Sequence, residues 1–147
     1  MTLALTVGTN TYLTLADAKL YMERRYEPTG AWAAAADATL NILLANATLI
    51  IDRQMWRQSK TAATQALEFP RGGDSTIPTE VTYACVEQAL HLLLAGCATD
   101  QAALARGLAS ASLGAVSETY RAGGTDELCP AARKLLGFWW VGGAAIV

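Results

Sequence analysis

The sequence predicts a mainly α fold, a small helical bundle with a short β-hairpin near residues 108–121 and an extended apolar C-terminal segment. Apolar residues recur at helical spacing in two long stretches, Leu40, Leu44, Ala47, Ile51 and Met55, then Val81, Cys85, Ala89, Leu92 and Gly96. Ser110, Ser112, Val116, Thr119 and Tyr120 suit strands around a turn at Gly114. A chain of 147 residues is long enough to bury one core without metal or disulfide staples. We therefore expect one domain over residues 1–147, with a helical core at 13–98, the hairpin at 108–121 and a C-terminal segment at 129–147.

Thr14 followed by Asp17 resembles a capping box, flanked by Leu13 and Ala18 as a hydrophobic staple, and predicts a first helix over residues 15–26. Pro28 and Gly30 then enforce a turn, and Trp32 opens a short alanine-rich helical turn. Asp37 is the expected N-cap of the second long helix. Leu43 and Ile50 widen its apolar face, and Asn41, Thr48 and Asp52 make a narrow polar stripe, so this helix is expected at the centre of the core. A polar connection over residues 58–64 and the loop Pro70-Arg71-Gly72-Gly73-Asp74 lead to Ile77-Pro78, where proline suits the start of a third long helix over residues 79–98. Gly123-Gly124 breaks the chain, and Pro130 begins a last helical segment ending in Phe138-Trp139-Trp140-Val141.

Composition excludes several functions. The net charge is −2 and the sequence pI about 5.3, so no chain-wide basic field exists to collect nucleic acid or anionic membrane. Charged residues make up only 16% of the chain, against roughly 25% in typical soluble domains, which hints at surface buried by partners. Cys85, Cys97 and Cys129 are odd in number and lack C-x-x-C spacing, so no disulfide framework is expected. Residues 1–16 lack the positive start of a secretory signal, and residues 135–147 fall short of the ~20 apolar residues that span a bilayer. No membrane partner is expected.

The sole histidine, His91, rules out a two-histidine metal site within one chain, and its position four residues after Glu87 reads as a helix-surface pair. No G-x-S-x-G elbow accompanies any serine. Gly72-Gly73-Asp74-Ser75 lacks the P-loop pattern and reads as a flexible turn. Neither catalytic residues nor a cofactor nor a metal is predicted, and the chain is expected not to be an enzyme. Arg53, Trp56, Arg57 and Lys60 form the nearest approach to a nucleic-acid patch, with Arg53 and Arg57 one helical turn apart. A solvated face with Trp56 packed into the core is the plainer reading.

The stretch Asn10-Thr-Tyr-Leu-Thr-Leu-Ala-Asp-Ala-Lys-Leu-Tyr21, then Ala31-Trp32, Leu43, Ala47, Ile51 and Asp52, the piece Gln65-Ala66-Leu67-Glu68-Phe69-Pro70-Arg71, and Ile77-Pro78-Thr79-Glu80-Val81 with Ala84, Glu87, Ala89 and Leu90 are similar to a phage family. It is the family of head-to-tail adaptor, or head-completion, proteins of long-tailed bacteriophages, which also carries the label DnaT-like single-stranded-DNA-binding protein. The family pattern has Trp where Phe69 stands, and Gly where Gln58 follows Trp56-Arg57. The resemblance covers roughly residues 10–95, and Gln65, Leu67, Phe69, Pro70 and Arg71 are its most specific piece.

Between the two labels, the acidic pI and large apolar fraction favour the adaptor. The resemblance then implies a ring, expected to be a dodecamer matching the portal, in the neck of a virion assembled in the host cytoplasm. Its expected partners are the portal protein above, a stopper or tail-terminator protein below, and double-stranded DNA passing without sequence readout. The alternative is a single-stranded-DNA-binding replication accessory. Under the adaptor reading, binding to single-stranded DNA should be weak or absent. Candidate residues for the portal or subunit interface are Arg133, Lys134, Leu135, Phe138, Trp139, Trp140, Val141 and Ile146, because adjacent tryptophans cannot both face one core and tryptophan is enriched among interface anchors. Phe69 is expected to anchor its loop to the core and Arg71 to contact a neighbouring element or subunit.

Overall fold

In the computed structural model of the chain, residues 2–25, 30–94 and 128–139 are described. They hold the helices α1 (Leu15–Arg24), α2 (Gly30–Ala34), α3 (Asp37–Asp52), α4 (Thr79–Leu94) and α5 (Pro130–Leu136). The mainly helical expectation holds. The described residues contain no strand, only isolated bridges pairing Val7 with Thr11 and Lys60 with Arg71. The hairpin at 108–121, Cys97 and the end of the third predicted helix at 98 lie outside the described residues.

Thr14 caps α1 as its sequence predicts, its hydroxyl oxygen accepting the Asp17 amide at 3.1 Å. Leu13 and Ala18 are both buried beside it. The helix stops at Arg24, short of residue 26, because Arg25 adopts an extended backbone. Upstream, the Asn10 side chain accepts the Thr6 amide at 2.8 Å and donates to the Ala4 carbonyl at 2.9 Å, closing the turn that delivers Thr11, Tyr12 and Leu13 into the core.

α3 departs from expectation at both ends. Ala36 occupies the cap and Asp37 the first turn, where its carboxylate suits the helix dipole and takes the Lys19 ammonium at 2.7 Å. At the other end the periodicity suggests a helix through Met55, yet the helix closes at Asp52 and Met55 is 70% exposed. The last carbonyls find other donors. The Trp56 indole N–H donates to the Ile51 carbonyl at 2.9 Å, and the Gln54 side chain donates to that of Ile50 at 3.1 Å.

The expected polar stripe is also misplaced. Thr48 is buried because its hydroxyl donates to the Leu44 carbonyl one turn back at 2.9 Å, which removes the cost of hiding it. Ile42 and Leu49 instead face solvent, so α3 is not the central helix. That place belongs to α4, which packs against α1, α2, α3 and α5 and is buried without interruption from Ala84 to Leu90.

Such a helix must satisfy its polar side chains internally. Glu87, expected to pair with His91 on the surface, is 7% exposed and accepts from the Tyr21 hydroxyl at 2.8 Å and Arg25 Nε at 3.0 Å. His91 is exposed. The fully buried Gln88 accepts the Cys129 amide at 2.8 Å and so pins the start of α5, whose Ala132 and Leu136 complete the core with Leu128. Pro130 begins that helix as predicted. No described helix is long and apolar enough to cross a membrane.

Leu44 is fully buried at the α3 face that meets α4. Leu44→Ala is expected to cost about 2–5 kcal/mol of unfolding free energy in denaturant titrations.

Candidate functional site

The loop from 53 to 78 has little regular structure and is ordered instead by the side chains of its sequence motif. Gln65 acts as a clasp. Its amide nitrogen donates to the carbonyls of Leu67 at 2.8 Å and Pro70 at 2.9 Å, and its amide oxygen accepts the Ala62 amide at 3.0 Å. Leu67 and Phe69 are buried, and the Phe69–Pro70 peptide is cis.

The Phe69 ring, 1% exposed, meets Tyr12, Trp56 and Trp139 edge to face, with centroids 6.0, 5.1 and 5.6 Å away. Phe69 therefore anchors the loop, as its sequence predicts. Arg71, 7% exposed, donates from Nε to the Arg57 carbonyl at 3.0 Å, and from its terminal nitrogens to the carbonyls of Gln58 and Glu68 and to the Glu68 carboxylate. This guanidinium also lies 6.0 Å from the Phe69 ring centroid. Only a planar fork of donors reaches so many acceptors at once.

Beneath the cluster, the Tyr12 hydroxyl donates to the Asp52 carboxylate, and that carboxylate and hydroxyl in turn receive the amides of Glu68 and Phe69 at 3.4 Å each. Burial pushes the Asp52 carboxyl above the usual carboxylate range, against the lowering effect of the Tyr12 hydrogen bond. The Tyr12 hydroxyl is likewise raised, by burial and by Asp52. Sequence reading missed this polar pair, although both residues stand in the stretches that carry the family resemblance.

Gln58 has φ +63°, a left-handed conformation that favours glycine. This is the position where the family pattern has Gly. The following turn also needs glycine, since Gly72 and Gly73 have φ +65° and +89°, and a Cβ on Gly72 would meet the Gln58 amide oxygen at 2.3 Å. The Asp74 amide donates to the Arg71 carbonyl at 3.2 Å, so the glycine-rich piece is a turn, as predicted.

This scaffold presents a surface. The Arg57 backbone is held on both sides, its carbonyl by Arg71 and its N–H by the Trp139 carbonyl at 2.7 Å, while the residue is exposed. Next to Trp139 stands Phe138, 73% exposed, with its ring 5.3 Å from the Trp139 ring at 84°. Arg53 and Met55 are exposed on the same connecting segment. Arg53 and Arg57 do not share a helix, since α3 has ended, and Trp56 is half-buried against Phe69 rather than offered for stacking. Lys60 is turned inward, 3.8 Å from the Glu68 carboxylate and 3.4 Å from the Gln65 carbonyl.

Among the other predicted interface residues, Arg133 and Leu135 are half-buried on α5 and Lys134 is exposed, whereas Trp140, Val141 and Ile146 lie outside the described residues. No group of three metal-binding side chains occurs among the described residues. Burial pushes the Cys85 thiol up to about 12, and Cys129 is raised for the same reason, so both are neutral core residues.

A family model described as "Putative DnaT-like ssDNA binding protein" matches residues 3–146. No curated protein and no solved structure matches the chain. The family match overturns the head-to-tail adaptor reading and favours the alternative that the sequence analysis ranked second. The acidic pI and large apolar fraction that favour an adaptor are whole-chain quantities and do not describe the local surface around Arg57.

Two outcomes test this arrangement. Gln58→Gly should leave the unfolding midpoint unchanged or higher, because it removes a left-handed penalty of about 1–2 kcal/mol at a cost of about 0.5–1 kcal/mol in chain entropy. Gln58→Val should lower the midpoint. For Asp52 the folded state binds the proton more tightly than the unfolded one, so its stabilising contribution is present in acid and is lost as pH rises through the raised value. The stability of Asp52→Asn relative to the parent should therefore be most favourable near pH 7 and decline as pH falls, measured by denaturant titration across that window.

Proposed function

We propose, from the premise that this chain belongs to the family of DnaT-like ssDNA-binding proteins, that it binds single-stranded DNA as a non-enzymatic accessory of replication. The observation that carries a site for this activity is the hydrogen bond from the Arg57 N–H to the Trp139 carbonyl, which joins the backbone of an exposed arginine to the segment that carries the exposed Phe138 ring. Single-strand binding needs those two components, a cation to follow the phosphates and an aromatic face on which a base stacks.

Phe138 supplies a face that every base can use, and Trp139 behind it fixes the ring by an edge contact. Arg57 approaches from a backbone held by the buried Arg71, so little order has to be acquired on binding. With a net charge of −2 the affinity comes from this local face alone, and it carries no base-edge readout. Binding is therefore modest, tolerant of sequence and sensitive to salt.

Fluorescence anisotropy with labelled oligo-dT tests the proposal. Phe138→Ala should weaken binding roughly fivefold or more, the loss of one stacked base. Arg57→Ala should lower affinity and reduce the slope of log K against log salt by about 0.7, one single-strand phosphate contact. Both side chains are exposed, so the unfolding midpoint should not move. Absence of binding by the parent chain at low ionic strength would refute strand binding, and unchanged binding in both variants would move the site elsewhere.

A further inference from the structure

We propose that the cleft between α1 and α4 is a nucleotide site, holding one planar base with its phosphate. The proposal deepens strand binding, and rests on it where the nucleotide belongs to a strand. The cleft has a volume of about 260 Å³, small beside the ~300–1,000 Å³ of pockets for drug-sized ligands, and suited to a single flat ring.

Its walls come from helical spacing. Asp17, Leu20, Tyr21 and Arg24 lie at i, i+3, i+4 and i+7 of α1, hence on one face, and all four line the cleft. Thr82 and Tyr83 of α4 form the opposite wall. Tyr21 and Tyr83 are half-buried with ring centroids 4.7 Å apart and planes tilted by 35°, and the Tyr21 hydroxyl is tied to the buried Glu87 at 2.8 Å. The aromatic wall is thus held in place before any ligand arrives. Leu20 at 43% and Val7 at 47% exposed are apolar side chains at the same cleft, left in water and ready to cover a base.

The charges are placed at opposite ends. Asp17 and Arg24 are separated by about 10 Å along the helix axis, comparable with the distance between the outer edge of a nucleobase and its own phosphate. Asp17 accepts from exocyclic amino or ring N–H groups. Arg24 is exposed and has no hydrogen bond or ion pair among the described residues, so it is available to a phosphate. Tyr12 also lines the cleft, and its ring meets Phe69. The cleft and the Arg57–Phe138 face therefore share one rigid aromatic cluster.

The same chemistry is found in a strand and in a free nucleotide. The test is photocrosslinking of the full chain to oligo-dT carrying 5-iododeoxyuridine, and separately to 5-iododeoxyuridine monophosphate, with the attachment site read by mass spectrometry. Anisotropy with oligo-dT is measured in parallel on the parent chain, Arg24→Ala and Arg24→Lys. We expect attachment at Tyr21 or Tyr83, a roughly threefold or greater loss of affinity in Arg24→Ala, the loss of one phosphate contact, and substantial recovery in Arg24→Lys. Attachment from the oligonucleotide assigns the nucleotide to a strand, and attachment from the monophosphate alone assigns it to a free ligand. No attachment at either tyrosine from either probe overturns the cleft. Attachment confined to Phe138 or Trp139 with unchanged Arg24→Ala also overturns it while leaving strand binding intact. If the parent chain fails to bind the oligonucleotide, strand binding falls, and the monophosphate arm still decides the cleft.

Discussion

Three parts of the chain that are far apart in sequence meet on the ring of Phe69. Tyr12 comes from ahead of α1, Trp56 from the segment after α3, and Trp139 from beyond α5. Each edge-to-face pair contributes about 0.5–1.5 kcal/mol beyond the burial of its area. The larger consequence is geometric. The connecting segment has almost no backbone ladder of its own, so its path is set by where this one ring is held. Around it, the Gln65 clasp shapes the approach and Arg71 fastens the exit.

The interior accepts several polar groups because each is matched. Arg71 is spread over three carbonyls and one carboxylate, Glu87 receives a hydroxyl from α1 and a guanidinium from Arg25 just past its end, and Gln88 receives the Cys129 amide ahead of α5. Deleting one partner from such a group strands the other out of water, which costs more than the hydrogen bond contributed. These contacts also join elements that apolar packing alone would let slide. Glu87 ties α4 to α1 and Gln88 ties α4 to α5, so the central helix is fixed in rotation as well as in depth.

Helical periodicity disclosed the body of α3 and α4, and capping and proline signals disclosed α1 and the start of α5, because all of these are local properties of the sequence. The errors arose where a partner elsewhere in the chain decided the outcome. Met55 continues the apolar spacing of α3, but the Trp56 indole takes the Ile51 carbonyl and ends the helix first. Thr48 looks like a surface residue until its hydroxyl is seen to satisfy the helix's own carbonyl. Glu87 and His91 have the spacing of a surface pair, but Tyr21 of α1 and Arg25 just past its end reach Glu87 from outside the helix. The pairing of Tyr12 with Asp52 spans 40 positions, and no local pattern announces it.

The most specific piece of sequence, Gln65 to Arg71, proves to be scaffold. Every polar atom by which it is recognised is engaged within the chain, and its aromatic ring is closed to solvent. A ligand therefore has to be met by residues that the scaffold positions, which are individually unremarkable in the sequence. Arg57 is one arginine among several, and Phe138 is one member of an apolar run, yet a hydrogen bond that spans 82 positions, from Arg57 to Trp139, brings their segments together. The balance of 11 basic against 13 acidic residues averages over charges that are already spent inside, such as Arg71 with Glu68 and Arg25 with Glu87. What a strand of DNA would encounter is the remainder at the surface, where the exposed Arg57 is joined through its backbone to the segment that carries the exposed Phe138.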